Sequence, residues 1–230
     1  MRLSNFIKNF ADIILPRFCL HCKSKLTLME NTLCKECFSR INFASKERMQ
    51  YEFQRKFAEH KIISDFQSLF LFEVTSPIKT VLHELKYEKK FMIGKYVGSL
   101  INDYLAEEIF DWKADYIIPV PLHKLKKAQR GYNQSEFIAK EISKLLNVKL
   151  KTNLIKRVKY TETQTSMNLT ERRENMKDAF VLNSKIDLKN KRIIILDDVI
   201  TTGATIEACG KILKEKGAAE VFALSAALTD

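Results

Sequence analysis

The sequence predicts an α/β fold: a doubly wound, mostly parallel sheet with a small N-terminal four-cysteine zinc-ribbon domain. Short apolar runs of strand length alternate with apolar stripes at helical spacing over most of the chain. Two C-x2-C pairs stand close together near the N-terminus. An acidic pair, Asp197 and Asp198, follows the most apolar of the strand-like runs and precedes a predicted helix. The first observation predicts the sheet, the second the ribbon, and the third a ligand site at the edge of the sheet.

The pattern divides the chain into three segments. Residues 1–45 are predicted to hold an amphipathic helix and the zinc ribbon, residues 46–61 a helical linker, and residues 62–230 the α/β domain. The amphipathic helix ends at Pro16 and places its apolar residues on one face: Leu3, Phe6, Ile7, Phe10, Ile13 and Ile14. Packing against the core is its favoured role, and a position on a membrane surface is the alternative.

Composition and charge limit the class of protein. Hydrophobic residues make up 46% of the 230 residues, which supports a true core and argues against global disorder. No apolar run reaches the roughly 18 residues that a membrane span needs, and the first residues lack the cleavage site of a signal peptide. We therefore expect a cytoplasmic protein without a membrane span. The formal charge of +11 would attract nucleic acid or another polyphosphate, although a lysine-rich solvated surface also explains it.

Four of the five cysteines form a predicted metal site. They occur in "CLHC" and "CKEC", separated by eleven residues: Cys19, Cys22, Cys34 and Cys37. Four thiolates complete a tetrahedral Zn2+ site with no open position, so the zinc would be structural. Disulfides or an iron–sulfur cluster are the alternatives, but a reducing compartment and the paired knuckles favour zinc. Cys209 stands apart on an apolar helical face and is predicted to be a buried small hydrophobe.

The α/β domain is predicted from segments in chain order. The expected strands are "FQSLFLFE", "DYIIPVP", "NLIKRV", "RIIILDD" and "EVFALSAAL". Helices are expected at "IKTVLHELKY", along the stripe from Ile93 to Leu105, along the stripe from Phe137 to Leu146, and after Thr205. The unbroken apolar run of "RIIIL" is typical of a central strand that is covered on both faces. In sheets of this kind, ligands bind beyond the carboxyl ends of the strands.

The stretch "ILDDVITTGAT" lies at such an end. A turn that caps the next helix is the plainest interpretation, but it does not require two carboxylates, three threonines and a glycine. Free N–H groups at a helix start attract anions, and a glycine lets the backbone close around a phosphate. Two carboxylates beside that phosphate suit the vicinal hydroxyls of a sugar or a hydrated Mg2+. The stretch therefore predicts a site for a ribose 5-phosphate.

Two further polar runs are expected to face the same edge. "LHKLKKAQRGYNQSEF" carries four cations between Lys124 and Arg130, which suits a pyrophosphate; a basic surface loop is the alternative. "KYTETQTSMNLTERRENMKDAF" has little apolar periodicity and is rich in threonine, arginine and amides. It is predicted to be a mobile flap that carries arginines, with a flexible loop before a short helix as the alternative.

These motifs together carry a resemblance. "ILDDVITTGAT" resembles the motif with which type I phosphoribosyltransferases bind phosphoribosyl pyrophosphate (PRPP). "VPLHKLKKAQRGYNQSEFIAKEIS", "TQTSMNLTERRENMKDAF" and "IILDDVITTGAT", behind a four-cysteine ribbon, resemble the ComF/ComFC family of competence proteins over nearly the whole chain. The resemblance implies a type I phosphoribosyltransferase domain with an N-terminal zinc finger and PRPP binding. It also implies handling of single-stranded DNA during natural transformation, alongside other DNA-uptake proteins.

The resemblance also implies roles for matching residues. Asp197 and Asp198 would face the ribose hydroxyls, with Mg2+ bridging to the pyrophosphate. Arg130 would lie near the pyrophosphate, and Arg172 or Arg173 would approach it on the flap; with the acidic pair, Arg130 and Arg172 form the expected catalytic set. The expected PRPP-binding set is Asp197, Asp198, Val199, Ile200, Thr201, Thr202, Gly203, Ala204, Thr205, Arg130 and Gly131. Lys86 is a further candidate cation.

Three functions stay open at this point. The first is a competence factor that binds single-stranded DNA and PRPP and transfers ribose 5-phosphate from it or only binds it. The second is a salvage phosphoribosyltransferase for a small base, and the third is a PRPP-responsive regulator without turnover. No segment that would read a nucleobase stands out apart from the ribbon, so the sequence identifies no acceptor.

Overall fold

The computed structural model describes residues 16–88, 90–160, 176, 178–183 and 186–229. The predicted helix before Pro16 and the flap arginines Arg172 and Arg173 lie outside the described residues. The described helices are α1 (Lys35–Ser39), α2 (Lys46–Lys56), α3 (Pro77–Tyr87), α4 (Phe91–Asp111), α5 (Lys124–Arg130), α6 (Gln134–Leu146) and α7 (Ala204–Glu215). The strands are β1 (Asp65–Leu71), β2 (Tyr116–Pro119), β3 (Lys149–Leu150), β4 (Ile155–Arg157), β5 (Phe180–Leu182), β6 (Arg192–Ile200) and β7 (Glu220–Leu228).

Five strands form one parallel sheet in the order β1-β7-β6-β2-β3. In its register, Ile194 of β6 lies opposite Phe222 of β7 on one side and Ile117 of β2 on the other. From β2 the chain passes through α6 to β3, and from β6 it passes through α7 to β7 in the opposite direction. The pair β2–β6 is therefore the switch point of the sheet, where doubly wound folds leave a crevice at the carboxyl edge.

The two faces of the sheet are buried in separate cores, because successive side chains of a strand point to opposite faces. Ile194 and Leu196 of β6 join α3, α4 and α6 in one core. Ile193 and Ile195 join α2, α7 and the β4–β5 hairpin in the other, which also contains the fully buried Cys209. The predicted α/β class, with its central strand covered on both faces, is confirmed. No described helix has the length and apolar character needed to cross a membrane.

The four-cysteine ribbon packs directly against the α/β domain. Cys19, Leu26 and Leu33 belong to the same core cluster as Ile78 and Val81 of α3. At the edge of this contact, a hydrogen bond of 2.9 Å joins His21 Nδ1 to the Thr80 hydroxyl. The ribbon and α3 therefore share one hydrophobic core.

The structure of three segments differs from what their sequence predicts. The predicted strand "NLIKRV" forms β4, but β4 pairs antiparallel with β5 outside the five-stranded sheet. In the five-stranded sheet, the short strand β3 lies next to β2. The basic run after β2 contains the helix α5, which begins at the N-cap His123 and ends at Gly131 in the left-handed conformation (φ 83°). Within residues 46–61, α2 packs against the second core through Met49.

Candidate functional site

The acidic pair lies where β6 extends beyond its neighbour β2. The pairing of β2 with β6 ends at Pro119 and Leu196, whereas β7 accompanies β6 as far as Ile200. Asp197 and Asp198 follow Leu196 directly, so they border the space that β2 leaves open at the switch point. The N-terminal end of α6 lies on the other side of this space.

Side chains from α6 and α3 hold the two carboxylates. The Ser135 hydroxyl donates to Asp197 Oδ1 over 3.1 Å, and the Gln134 amide donates to Asp198 Oδ1 over 3.1 Å. From the C-terminal end of α3, Lys86 Nζ lies 2.5 Å from Asp198 Oδ2. The Tyr132 hydroxyl donates to the Leu85 carbonyl, which ties the segment before α6 to the end of α3. Three elements far apart in sequence therefore meet at the acidic pair.

The two adjacent carboxylates have opposite electrostatic environments. Burial, followed by the neighbouring charge of Asp198, raises the pKa of Asp197 to about 8 although part of its side chain remains accessible. Burial also acts to raise the pKa of Asp198, but the charge and hydrogen bond of Lys86, with hydrogen bonds to Gln134 and Asp197, together lower it. In return, the carboxylate raises the pKa of Lys86 against the effect of burial. The two environments therefore favour a charged Asp198 and a protonated Asp197 at neutral pH.

The loop after the pair leads into the start of α7. Gly203 is the N-cap of this helix and adopts the left-handed conformation with φ 81°. The amide of Ala204 lies 3.4 Å from the Thr202 hydroxyl oxygen, and the Thr205 side chain is half-buried at the first turn. Gly203 has no side chain to cap the helix, so N–H groups of the first turn and nearby hydroxyls are suitable donors for an anion.

A buried ion cluster in α2 supports this loop from behind. Lys56 Nζ donates to the carbonyls of Thr201 and Thr229 and lies 3.1 Å from Glu52 Oε2. Glu52 is fully buried, and Arg48 and Arg55 also pair with it, at 2.8 and 2.7 Å. The Thr201 carbonyl is thereby held in place by α2. The predicted linker, residues 46–61, thus contains the helix α2, which contacts the candidate site.

The aromatic ring of Phe57 leaves no room for a side chain at Gly203. A Cβ atom at Gly203 would lie 2.6 Å from Phe57 Cε1, and Phe57 is itself fully buried. Gly217 also has a positive φ of 91°, but a Cβ atom there would meet its nearest neighbour, Lys189 Cα, at 3.4 Å. Alanine substitutions at the two glycines therefore distinguish the cost of backbone strain from the cost of a steric clash.

We expect Gly203→Ala to destabilise the protein more than Gly217→Ala. The left-handed conformation costs an alanine about 1–2 kcal/mol at either position, and the contact with Phe57 adds about 1–3 kcal/mol at Gly203 alone. Unfolding of both variants in denaturant measures the difference. Equal losses of stability would show that the loop yields and that Phe57 does not hold it in place.

The basic run reaches the acidic pair through one hydrogen-bonded chain. Arg130 Nη1 donates to Gln134 Oε1 over 2.6 Å, and Gln134 in turn donates to Asp198. The Arg130 guanidinium also lies 5.2 Å from the centre of the Tyr87 ring. Gly131 follows as the C-cap of α5 and turns the chain toward α6. The arginine is therefore oriented by groups that also hold the acidic pair.

The ribbon cysteines have the arrangement of a metal site. The four Sγ atoms all lie within 4.8 Å of one another, and those of Cys22 and Cys34 are 3.6 Å apart. A tetrahedral zinc with bonds of about 2.3 Å requires sulfur–sulfur distances of about 3.8 Å. The amide of Cys34 donates to Cys19 Sγ over 3.4 Å, and that of Cys37 donates to Cys34 Sγ over 3.4 Å. Amide donors of this kind orient thiolate ligands, so the donor set fits zinc.

The structure brings most of the sequence-predicted site together. The acidic pair, the loop from Thr201 to Thr205, Arg130 and Lys86 converge at the carboxyl edge, whereas Arg172 lies outside the described residues. Sequence reasoning missed the contacts of Ser135 and Lys56. The adjacent pair of Gln134 and Ser135 at a helix start was one available signal.

Comparison with known proteins agrees with this geometry. Residues 132–227 match the family model described as the phosphoribosyl transferase domain. The chain is 31% identical over 218 residues to Competence protein F of Haemophilus influenzae, an alignment that covers 88% of this chain and 93% of that protein. Identity is 30% over 151 residues to the DNA utilization protein YhgH of Escherichia coli O157:H7 (63% of this chain, 64% of the relative). Identity is 28% over 159 residues to Competence protein ComFC of Streptococcus pneumoniae (67% and 65%).

The fold and the acidic-pair loop thus define a phosphoribosyltransferase domain, which the matched family model identifies independently. The chain belongs to the competence protein F family, as the order of its sequence motifs predicts. Its N-terminal cysteine cluster and its parallel sheet agree with that membership.

Proposed function

We propose that this chain binds Mg2+–PRPP at the carboxyl edge of the sheet and binds single-stranded DNA, as a ComFC-like competence factor in natural transformation. One observation carries the proposal. The acidic pair, the anion-binding start of α7 and Arg130 meet at the switch point of the sheet. The acidic pair suits a sugar diol or a metal ion, the start of α7 suits a phosphate, and Arg130 suits a pyrophosphate.

Each part of PRPP has a matching group in this arrangement. The 5-phosphate would lie at the loop from Thr201 to Thr205, and the ribose hydroxyls would face Asp197 and Asp198. The raised pKa of Asp197 fits a site that is completed by a cation, because two adjacent carboxylates are costly to ionise together. Mg2+ held beside the acidic pair would supply positive charge to the pyrophosphate group. Arg130 would add charge at the same group, and Gln134 would keep its side chain in place.

The DNA-binding half of the proposal rests on family and charge. Two of the relatives are named as competence proteins and one as a DNA utilization protein. The excess of 39 lysines and arginines over 28 acidic residues favours binding to a polyanion. Zinc would be held by the four ribbon cysteines in a structural role, since four protein ligands leave no position for a substrate.

Titration calorimetry with Mg2+–PRPP, together with an assay for pyrophosphate release, tests the proposal. Binding of Mg2+–PRPP is expected, and ribose 5-phosphate with Mg2+ is the control that lacks the pyrophosphate. Release that requires a free base would favour the salvage enzyme, and binding without any release would favour the regulator. Release that requires an oligonucleotide would assign transfer to DNA handling. Absence of PRPP binding would overturn the proposal.

We also expect PRPP and DNA to affect each other's binding. Arg130 connects the basic run to the acidic pair, so Mg2+–PRPP changes the charge that a DNA strand meets nearby. Saturating Mg2+–PRPP should change the Kd of a short single-stranded oligonucleotide several-fold, a coupling of about 1 kcal/mol or more. Fluorescence anisotropy at fixed salt, with and without PRPP, measures it. Superimposable curves would mean that the two ligands bind independently.

A further inference from the structure

The helix α5 combines dense positive charge with exposure to solvent. Its seven residues include four cations and no acidic residue: Lys124, Lys126, Lys127 and Arg130. None of its residues is buried, and Lys124 and Lys127 are exposed. Seven helical residues span about 10 Å. Of these four cations, only Arg130 is linked to the acidic pair, through Gln134.

An exposed aromatic ring lies at the C-terminal end of α5. The Arg130 guanidinium lies over the ring of Tyr87 at 5.2 Å, and 59% of Tyr87 is exposed. Beyond it, Phe91 stacks on Phe137 with ring centres 4.7 Å apart and remains 45% exposed. Each ring packs against a neighbouring side chain, which lowers the cost of ordering it against a flat ligand.

A second exposed ring lies at the N-terminal end of α5. Tyr160 packs edge-on against His123 at 5.2 Å, and Lys126 Nζ lies 5.8 Å from its ring centre. Tyr160 is 39% exposed. A cleft of about 430 Å³ opens beside it, and its lining includes Lys124, Lys127, Lys156 and Arg157. Each end of the helix therefore presents a tyrosine ring beside a cation.

We propose that α5, Tyr87 and Tyr160 form a base-stacking site for single-stranded nucleic acid. Unpaired bases expose flat faces that stack on tyrosine rings, and the phosphates between them would lie along the lysines of α5. A duplex keeps its bases inside the helix, so it gains only the charge contribution. The inference rests on the proposed DNA binding and gives it a location next to the PRPP site, with Arg130 at the border between the two.

Replacing the rings tests the location directly. Loss of one base–tyrosine stack costs about 1–3 kcal/mol, so Tyr87→Ala and Tyr160→Ala should each raise the Kd for a labelled oligothymidylate at least about fivefold. Tyr87→Phe and Tyr160→Phe should restore binding, because a phenylalanine ring stacks equally well. Binding to duplex DNA of the same sequence should change far less.

Tyr51 provides a matched control. It is also 59% exposed, and Arg48 lies over its ring at 5.8 Å, but it belongs to α2. Tyr51→Ala should leave oligonucleotide binding unchanged. If Tyr51→Ala weakens binding as much as the other two alanine variants, or if those variants bind like the unmodified protein, the proposed location is wrong.

The lysines provide an independent readout through salt dependence. Each phosphate contact on a single strand contributes about 0.7 to the slope of log K against log salt. Lys124→Gln combined with Lys127→Gln should therefore reduce that slope by about 1.4. An unchanged slope would place the phosphates elsewhere.

The outcomes separate this inference from the proposed function. Failure of the unmodified chain to bind any oligonucleotide would overturn the proposed DNA binding itself. Oligonucleotide binding that survives all the tyrosine and lysine replacements would overturn only the α5 site. Calorimetry of Tyr160→Ala and Tyr87→Phe with Mg2+–PRPP should match the unmodified chain, because both variants keep an aromatic ring beside Arg130. This result would show that the neighbouring site is intact.

Discussion

Asn substitutions at the two neighbouring carboxylates are expected to have opposite effects on stability. Asp198→Asn leaves the Lys86 ammonium without its charged partner, which lies at 2.5 Å in a largely buried position. Removing one member of such a pair costs about 3 kcal/mol, at the lower end of the usual range because Lys86 keeps some contact with water. Asp197→Asn removes a carboxyl group that burial disfavours as an anion, so this variant should gain stability.

The stability gained by Asp197→Asn should increase as pH rises. The folded-state pKa of about 8 lies above the ordinary value of 3.8, so the native protein binds the proton more tightly than the unfolded chain. The stability of the unmodified protein therefore decreases as pH rises toward 8. Asp197→Asn does not titrate, so its advantage should increase over this range and stay constant above pH 8. Unfolding in denaturant at a series of pH values measures it.

Both substitutions should nevertheless weaken binding of Mg2+–PRPP. Each lost charged contact costs about 1.5–3 kcal/mol, so the double variant should bind at least about a hundredfold more weakly. In the unmodified protein, affinity should rise with pH up to about 8, because bound Mg2+ displaces the proton of Asp197. Asp197→Asn should abolish this rise. Between pH 7 and 8 a phosphate monoester is already deprotonated, so a change in affinity over this range reports the proton of Asp197.

Asp115 is the control carboxylate for these measurements. It pairs with Lys191 at 2.9 Å, but both side chains are about one-third exposed and Asp115 lies directly before β2, at the opposite edge of the sheet. Asp115→Asn should cost less than about 1 kcal/mol and leave PRPP binding unchanged. Equal effects of Asp115→Asn and Asp198→Asn would mean that the loss is general and not a property of the site.

The acidic pair and the phosphate loop could be predicted because their signals are local. Eleven consecutive residues contain the end of an apolar strand, two carboxylates, three threonines and a glycine before a helix. The central position of β6 likewise follows from its unbroken apolar run. In such cases one segment specifies both the element and its chemistry.

The partners of the loop could not be predicted, because they depend on how distant elements pack. Lys86 could be named from the sequence as a candidate cation, but nothing near it specifies Asp198 as its partner. Nothing near Lys56 in sequence specifies the Thr201 carbonyl as its acceptor. The helix α2 did leave a signal, since Met49, Phe53 and Phe57 recur every four residues and face the second core. The helix α5 left almost none, because it buries no residue and so has no apolar stripe.

Loss of zinc is expected to disturb the whole protein and not only the ribbon. Cys19 and Cys37 belong to one core cluster with residues of α3, α4 and the central strands. A ribbon without its metal has too little apolar surface to stay folded by itself. The first helix that would lose its neighbour is α3, whose C-terminal end carries Lys86 to the acidic pair.

We expect Cys34→Ser and Cys37→Ser to remove about one zinc ion per chain and to lower the free energy of unfolding by about 4 kcal/mol or more, as losses of structural metals do. Hydrogen exchange should accelerate in the ribbon and in the first turns of α3, where Thr80 meets His21. Cys209→Ser is the control, because Cys209 is fully buried far from the ribbon on α7. It should cost about 1–3 kcal/mol for the buried hydroxyl and retain the zinc.

Metal analysis by mass spectrometry tests the zinc site, and the exchange pattern shows whether the ribbon is energetically coupled to α3. Faster exchange confined to residues 16–45 would mean that the ribbon is energetically independent despite the shared core. Faster exchange that extends into α3, with weaker Mg2+–PRPP binding, is the expected result, because the ribbon packs on the helix that positions Lys86. An unmodified protein without zinc, or cysteine variants that retain it, would refute the metal site itself. In the expected case the ribbon stabilises the phosphoribosyl site from a distance, through one helix that contacts both.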